Sequence, residues 1–153
     1  MKKMFAIAAV AASCAALPAY AATDAECQAM WTKADVNKDG TLSDTESLRY
    51  AAAMRVRETK MNTDGKIDQA SFMAACKDDV YAPRKADEGA PLKGANSFTE
   101  GQAKDRAIAN GVNLTGAMTK DADGIWRGAA TQDDKTVQVA VDYKGNVVTQ
   151  AQQ

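Results

Sequence analysis

Six oxygen-bearing residues stand at nearly alternate positions in a chain of 153 residues: Asp35, Asn37, Asp39, Thr41, Ser43 and Glu46. Gly40 lies in their middle, where a sharp turn needs backbone freedom. Donors at alternate positions of a tight loop converge on one centre. The last carboxylate then falls on the first turn of a following helix, an end that favours negative charge. Such a donor set suits a hard cation, and calcium in particular takes six to eight oxygens in a flexible cage. A solvated Asp/Gly turn between helices is the alternative reading of the same residues.

The segment 35–46, Asp-Val-Asn-Lys-Asp-Gly-Thr-Leu-Ser-Asp-Thr-Glu, resembles the twelve-residue calcium loop of an EF-hand. The resemblance implies that Asp35, Asn37 and Asp39 ligate at positions one, three and five, and that Thr41 offers its carbonyl at seven. It implies that Ser43 acts directly or through water at nine, and that Glu46 binds with both oxygens at twelve. Leu42 at position eight would tie the loop to a neighbour. Three ligating carboxylates suit a weak site, with a dissociation constant on the order of 0.1–1 mM. Lanthanide ions are also hard and oxygen-seeking. Lanthanide-binding EF-hand proteins of the lanmodulin type, however, carry Pro at position two, where Val36 stands.

Residues 60–71 resemble a second, degenerate EF-hand loop. Aligned on Gly65, the residues Asn62, Asp64 and Asp68 fall on ligand positions, and Ile67 matches Leu42. Lys60 replaces the first carboxylate and Ser71 the last. The expected role is a structural partner for the first loop. The 13 residues from Ser47 to Thr59 contain no Gly or Pro. As one straight helix they would span ~20 Å and hold the two loops too far apart to pair. Two short helices, or an unusual short pair like those of secreted bacterial EF-hand proteins, are the expected ways around this.

Helices must position these loops. Thr23 and Glu26 fit a capping box. Cys27, Met30, Trp31 and Ala34 then form one apolar face, and Phe72, Cys76 and Val80 recur at four-residue steps on a last helix. Residues 22–80 therefore read as a helical module. Residues 81–96, with Pro83, Pro91, Gly89 and Gly94, read as a linker. Residues 97–153 begin with capping-box patterns at Ser97 and Thr99 and continue as a helix. Turn signals follow at Asp123-Gly124, Asp133-Asp134 and Lys144-Gly145-Asn146. Val137, Val139, Val141 and Tyr143 alternate with Gln138, Ala140 and Asp142 as a one-faced strand. The expected fold class is α+β: an EF-hand pair, then a small helix with a three-stranded antiparallel sheet. One helix and three strands ending in Val-Asp-Tyr-x-Gly-x-Val resemble a PepSY-like domain, which implies a binding or inhibitory module of secreted bacterial proteins. Asp121 and Asp123 read as hairpin-turn residues, and Trp126 as packing.

Residues 1–21 have a basic start at Lys2-Lys3, an apolar run, Pro18 and Ala19-Tyr20-Ala21, the pattern of a cleaved secretory leader. Its removal loses two lysines and no acid, moving the formal charge from -1 to -3. Ala11-Ala12-Ser13-Cys14 only loosely resembles a lipoprotein box, so Cys14 is expected to leave with the leader. Cys27 and Cys76 then remain as a pair in an oxidising compartment and are expected to form a disulfide.

The absence of His excludes Ser-His-Asp and Cys-His catalysis and removes the usual zinc and haem ligand. The near-neutral charge argues against a nucleic-acid binder. The expectation is a non-enzymatic, periplasmic or secreted protein that binds Ca2+, with no membrane-spanning segment after cleavage. A C-terminal unit would serve for interaction with a secreted or periplasmic protein. The alternatives are a protease-inhibitory or chaperone-like PepSY-type protein stabilised by calcium, and a lanthanide binder.

Overall fold

The computed structural model describes residues 21–82 and 89–151. Residues 1–20 of the leader read over 1–21, Cys14 among them, residues 83–88 of the segment read as a linker and residues 152–153 of the C-terminal unit lie outside the described residues. The α+β class holds: the described residues form four helices with a two-stranded and a five-stranded antiparallel sheet.

Helix α1 (Asp24–Ala34) starts at a complete capping box, in which Thr23 Oγ1 accepts from the Glu26 N–H and the Glu26 carboxylate accepts from the Thr23 N–H. Its Cys27, Trp31 and Ala34 are buried. The loop 35–46 passes through strand β1 (Thr41–Leu42) into helix α2 (Asp44–Val56). A second loop leads through β2 (Ile67–Asp68) into α3 (Gln69–Lys77). The Asp68 carboxylate caps α3 by accepting from the Ser71 N–H at 2.7 Å.

Strands β1 and β2 pair antiparallel, Thr41 opposite Asp68 and Leu42 opposite Ile67. The two loops thus meet by the short spacing, and not through the two short helices that were the other expectation. One helix, not two, fills most of the interval, and it stops at Val56. Glu58 takes a left-handed φ of 54° and the Thr59 N–H donates to the Met54 carbonyl, which turns the chain without Gly or Pro. A non-helical return covers up to ~3.3 Å per residue against 1.5 Å along the helix, so about six residues suffice to come back. Leu42 and Ile67 are thereby buried in one cluster with Trp31, Met54, Phe72, Val80 and Tyr81. The disulfide Cys27–Cys76 ties α1 to α3 inside that cluster, with a Cα–Cα distance of 5.8 Å.

Helix α4 (Glu100–Ala109) begins at the second of the two expected boxes, Thr99 with Gln102. Five strands follow: β3 (Asn113–Leu114), β4 (Thr119–Lys120), β5 (Trp126–Gln132), β6 (Lys135–Val141) and β7 (Val147–Ala151). The sheet order is β3-β5-β6-β7, with β4 also pairing β5. Three strands were expected. The stretch through Val112, Leu114 and Met118, read as the first strand, forms β3 and β4 with a break between them, next to which the Glu100 carboxylate of α4 accepts from the Met118 N–H, and the short end read at Val147-Val148 is the strand β7. Asp133 and Asp134, both at positive φ, close the two-residue turn between β5 and β6. Val137, Val139 and Val141 of β6 pack against Ala103 and Ala107 of α4. Residues 89–98 lie along the sheet. Leu92 N–H donates to Asp142 Oδ2, Gly94 N–H to the Asp123 carbonyl and Trp126 Nε1 to the Phe98 carbonyl.

Helix α4 also packs against α2, so one helix serves as a wall of both units. Among the described residues no helix is long and apolar enough to cross a membrane.

Candidate metal centre

Helix α1 ends at Asp35, whose N–H closes the last helical turn on the Trp31 carbonyl and whose side chain is drawn inside, leaving the residue 6% exposed. The chain then folds on its own side chains. Asn37 Oδ1 accepts from the Asp39 N–H at 3.0 Å, and Asp39 Oδ1 accepts from the Thr41 N–H and hydroxyl at 2.8 and 2.9 Å. Short Asx turns of this kind let polar side chains replace a backbone ladder. Gly40 adopts φ +83°, a conformation that other residues rarely take, and its N–H donates to Asp35 Oδ2 at 3.2 Å.

Glu46 closes the loop from the other side. It lies in the first turn of α2, and its Oε1 accepts from the N–H groups of Val36 and Asn37 at 3.0 and 3.1 Å. Positions twelve and two are thus joined across the loop by charge-assisted bonds. Ser43 is the N-cap of α2 by backbone conformation, yet its hydroxyl makes no capping hydrogen bond among the described residues. Val36, Asn37, Ser43, Thr45 and Glu46 line an open cleft of about 340 Å³.

The six residues expected as ligands are therefore held on one loop, but their carboxylates are not gathered. Among the described residues no three His, Cys, Asp or Glu side chains converge as a metal-holding group. Like charges repel, and each of Asp35, Asp39 and Glu46 is turned to backbone N–H donors. Two oxygens do not take part. Asp35 Oδ1 and Glu46 Oε2 are buried and have no hydrogen-bond partner among the described residues. Bonds from the Thr41 N–H, then from its hydroxyl, hold the Asp39 carboxyl below the usual range, against a small opposing effect of burial. The Asn37 amide and the charge of Lys66 act in the same lowering sense.

The second loop is satisfied from within. Asn62 Nδ2 donates to Asp68 Oδ2 at 2.9 Å, the Ser71 hydroxyl donates to the same oxygen at 3.2 Å, and Asp64 Oδ1 accepts from the Lys66 N–H. The Ser71 N–H, then the Asn62 amide, lower the Asp68 carboxyl. The donor set fits a cation in the first loop, where two buried acceptor oxygens lack donors. It does not fit one in the second, where Asp68 is committed to capping α3.

The turn at 121–125 is structural as expected. Asp121 Oδ1 accepts from Asp123 and Ile125 N–H groups, and its Oδ2 pairs with Arg127 Nε at 2.7 Å. Sequence reasoning missed the grip of Glu46 on Val36 and Asn37.

No family model matches the chain, and no curated protein or solved structure matches it.

Proposed function

We propose that this is a secreted or periplasmic protein that binds one calcium ion in the loop 35–46 and carries a C-terminal unit for interaction with another secreted protein. The observation that carries the reading is the pair of buried, donorless oxygens, Asp35 Oδ1 and Glu46 Oε2, at the first and last ligand positions. A buried acceptor left unsatisfied costs about 1–3 kcal/mol, more when charged, and a hard cation relieves both. Asp35, Asn37, Asp39, Ser43 and Glu46 would hold it with the carbonyl of Thr41. The ion would supply positive charge among three carboxylates.

The resemblance to an EF-hand loop supports the same reading, and so does the pairing of the two position-eight residues, Leu42 and Ile67, across β1 and β2. The second loop, with Asn62, Asp64 and Asp68, acts as a metal-free structural partner. The covalent tie between α1 and α3 restrains opening, which makes the module a clamp or buffer rather than a sensor that exposes a groove. The disulfide and the leader pattern support an export address. No catalytic role is proposed, and the PepSY-like resemblance of residues 97–149 is the ground for the interaction unit.

Calorimetric titration of calcium, followed in parallel by Trp31 fluorescence, tests the reading. One site per chain is expected, lost in Glu46→Gln. No binding in the wild type, or equal binding in Glu46→Gln, defeats it. Displacement of terbium by calcium separates the calcium reading from the lanthanide one.

A further inference from the structure

A cleft of about 430 Å³ opens between α2, the end of α4 and the strand β3, a size that suits a small ligand or the end of a peptide. Leu48, Ile108, Val112 and Leu114 give it apolar walls. Leu48 is 54% exposed, while Ala51, Ala52, Ala53 and Met54 of the same helix are buried. Arg49 lines the same cleft and is exposed. A guanidinium carries five N–H donors, and those of Arg49 make no hydrogen bond or ion pair with a described residue. Every other arginine among the described residues is engaged: Arg55 with Asp105, Arg57 with the Asp79 carbonyl, Arg106 with the Gln102 carbonyl and Arg127 with Asp121. The strand β3 adds open backbone to the cleft. The Thr115 N–H donates to the Ala129 carbonyl, and Asn113 lies opposite Thr131. Bonded residues alternate along an antiparallel ladder, so the N–H and C=O of Leu114 point away from β5. No other strand among the described residues pairs on that side.

We propose that this cleft binds the C-terminal end of an extended peptide whose last residue is apolar. The terminal carboxylate meets Arg49, the last side chain lies between Leu48 and Ile108, and the peptide backbone extends β3 through the N–H and C=O of Leu114. Each feature selects for part of this occupant. A guanidinium fork matches a carboxylate with two parallel bonds. Apolar walls disfavour a charged last side chain. An open sheet edge accepts an added strand. The inference rests on the reading of an interaction unit and names its partner's chemistry, and it does not depend on the calcium site. It also enlists α2, which packs on α4 and so brings Leu48 and Arg49 to the C-terminal unit. Arg49 has one structural role open to it. Its guanidinium carbon lies 4.0 Å from where a Cβ would stand at Gly111, just past the end of α4, and a cation there suits the helix dipole. A role confined to that end affects stability and leaves peptide binding unchanged.

The test is fluorescence anisotropy on the full protein with a pool of fluorescein-labelled hexapeptides that end in Leu, Val or Phe. The pool is used with free carboxylates and, separately, amidated. Wild type is expected to bind the free pool. Amidation and Arg49→Gln are each expected to weaken binding about tenfold, and together no further, because both remove the same contact. Leu48→Ser, at an exposed position, is expected to weaken both pools. No binding of the free pool to wild type overturns the proposal. So does equal affinity for the two pools, or an Arg49→Gln variant that melts lower and binds as wild type does. Binding of octanoate without the peptides overturns it as well, and gives the cleft to a free apolar acid. Photo-crosslinking of wild type and Arg49→Gln in a periplasmic extract separates these failures from a failure of the interaction reading. A protein adduct formed equally by both overturns the cleft assignment and leaves that reading standing, whereas no adduct with either overturns the two together.

Discussion

Arg55 on α2 and Asp105 on α4 face each other in a two-point ion pair, Nε to Oδ2 at 2.9 Å and Nη2 to Oδ1 at 2.6 Å. It joins the helix that carries Glu46 to the helix that backs the sheet. The forked geometry matches a carboxylate, but the side chains are 45% and 22% exposed, so solvent screens much of the attraction. Asp105→Ala is expected to cost about 1 kcal/mol, or about 2–4 °C in melting temperature for a chain of this size. Melting the two variants Asp105→Ala and Arg55→Ala together should show less than the sum of the single losses. Additive losses would mean that the pair contributes nothing of its own.

Two glycines at similar φ should respond very differently to alanine. At Gly124 a Cβ would meet the Gly94 carbonyl oxygen at 2.0 Å, while at Gly40 nothing lies within 4 Å. Gly40→Ala therefore costs only the left-handed strain, about 1 kcal/mol. Gly124→Ala must also push residues 89–98 off the sheet and is expected to cost several kcal/mol. Urea melts of the two variants give the comparison. Equal losses would contradict the close approach of Gly94.

The Tyr81 hydroxyl is buried without a hydrogen-bond partner among the described residues, in a ring cluster with Tyr50 and Phe72. Burial pushes its phenol pKa up. An unsatisfied hydroxyl is a cost that phenylalanine does not carry, so Tyr81→Phe is expected to be neutral or to stabilise by about 1 kcal/mol. A clear loss of stability in a chemical melt would reveal a partner for the hydroxyl.

Several carboxyls are held low in the folded chain. The Thr23 N–H lowers Glu26, the Lys104 side chain lowers Glu100, and the Ile125 N–H, then Arg127, lower Asp121. A folded value below the unfolded one gives stability that is present above the ordinary carboxylate range and lost as pH falls through the folded value. Thermal melts in a chelator should therefore be flat near neutrality and fall from about pH 5 downward. Asp121→Asn should fall less steeply. A wild-type melting temperature that rises on acidification would contradict these assignments.

The parts of this fold visible in the sequence are those written locally. Thr23 with Glu26, Thr99 with Gln102, and the Asp133-Asp134 turn each depend on residues a few positions apart, and each is found where expected. The disulfide was legible for another reason: two cysteines remained, with one way to pair. Relations set at a distance were not legible. The return after α2 turns at Glu58, a residue type that gives no turn signal, and beside the break between β3 and β4 Glu100 reaches the Met118 N–H from eighteen positions away. In the loop 35–46 the donor types could be read in order. Which oxygen each carboxylate commits to a backbone N–H is decided by folded geometry alone.

The bridge between Cys27 and Cys76 closes a covalent ring across 49 positions, and both loops lie on it. A protease that cuts the backbone once between residues 28 and 75 opens the ring without dividing the molecule. The nicked chain keeps its ends tethered, can refold as one body, and runs as one species on a denaturing gel until a reductant separates the fragments. Where proteases are abundant and thiols scarce, the exposed loops can be cleaved once without loss of either half.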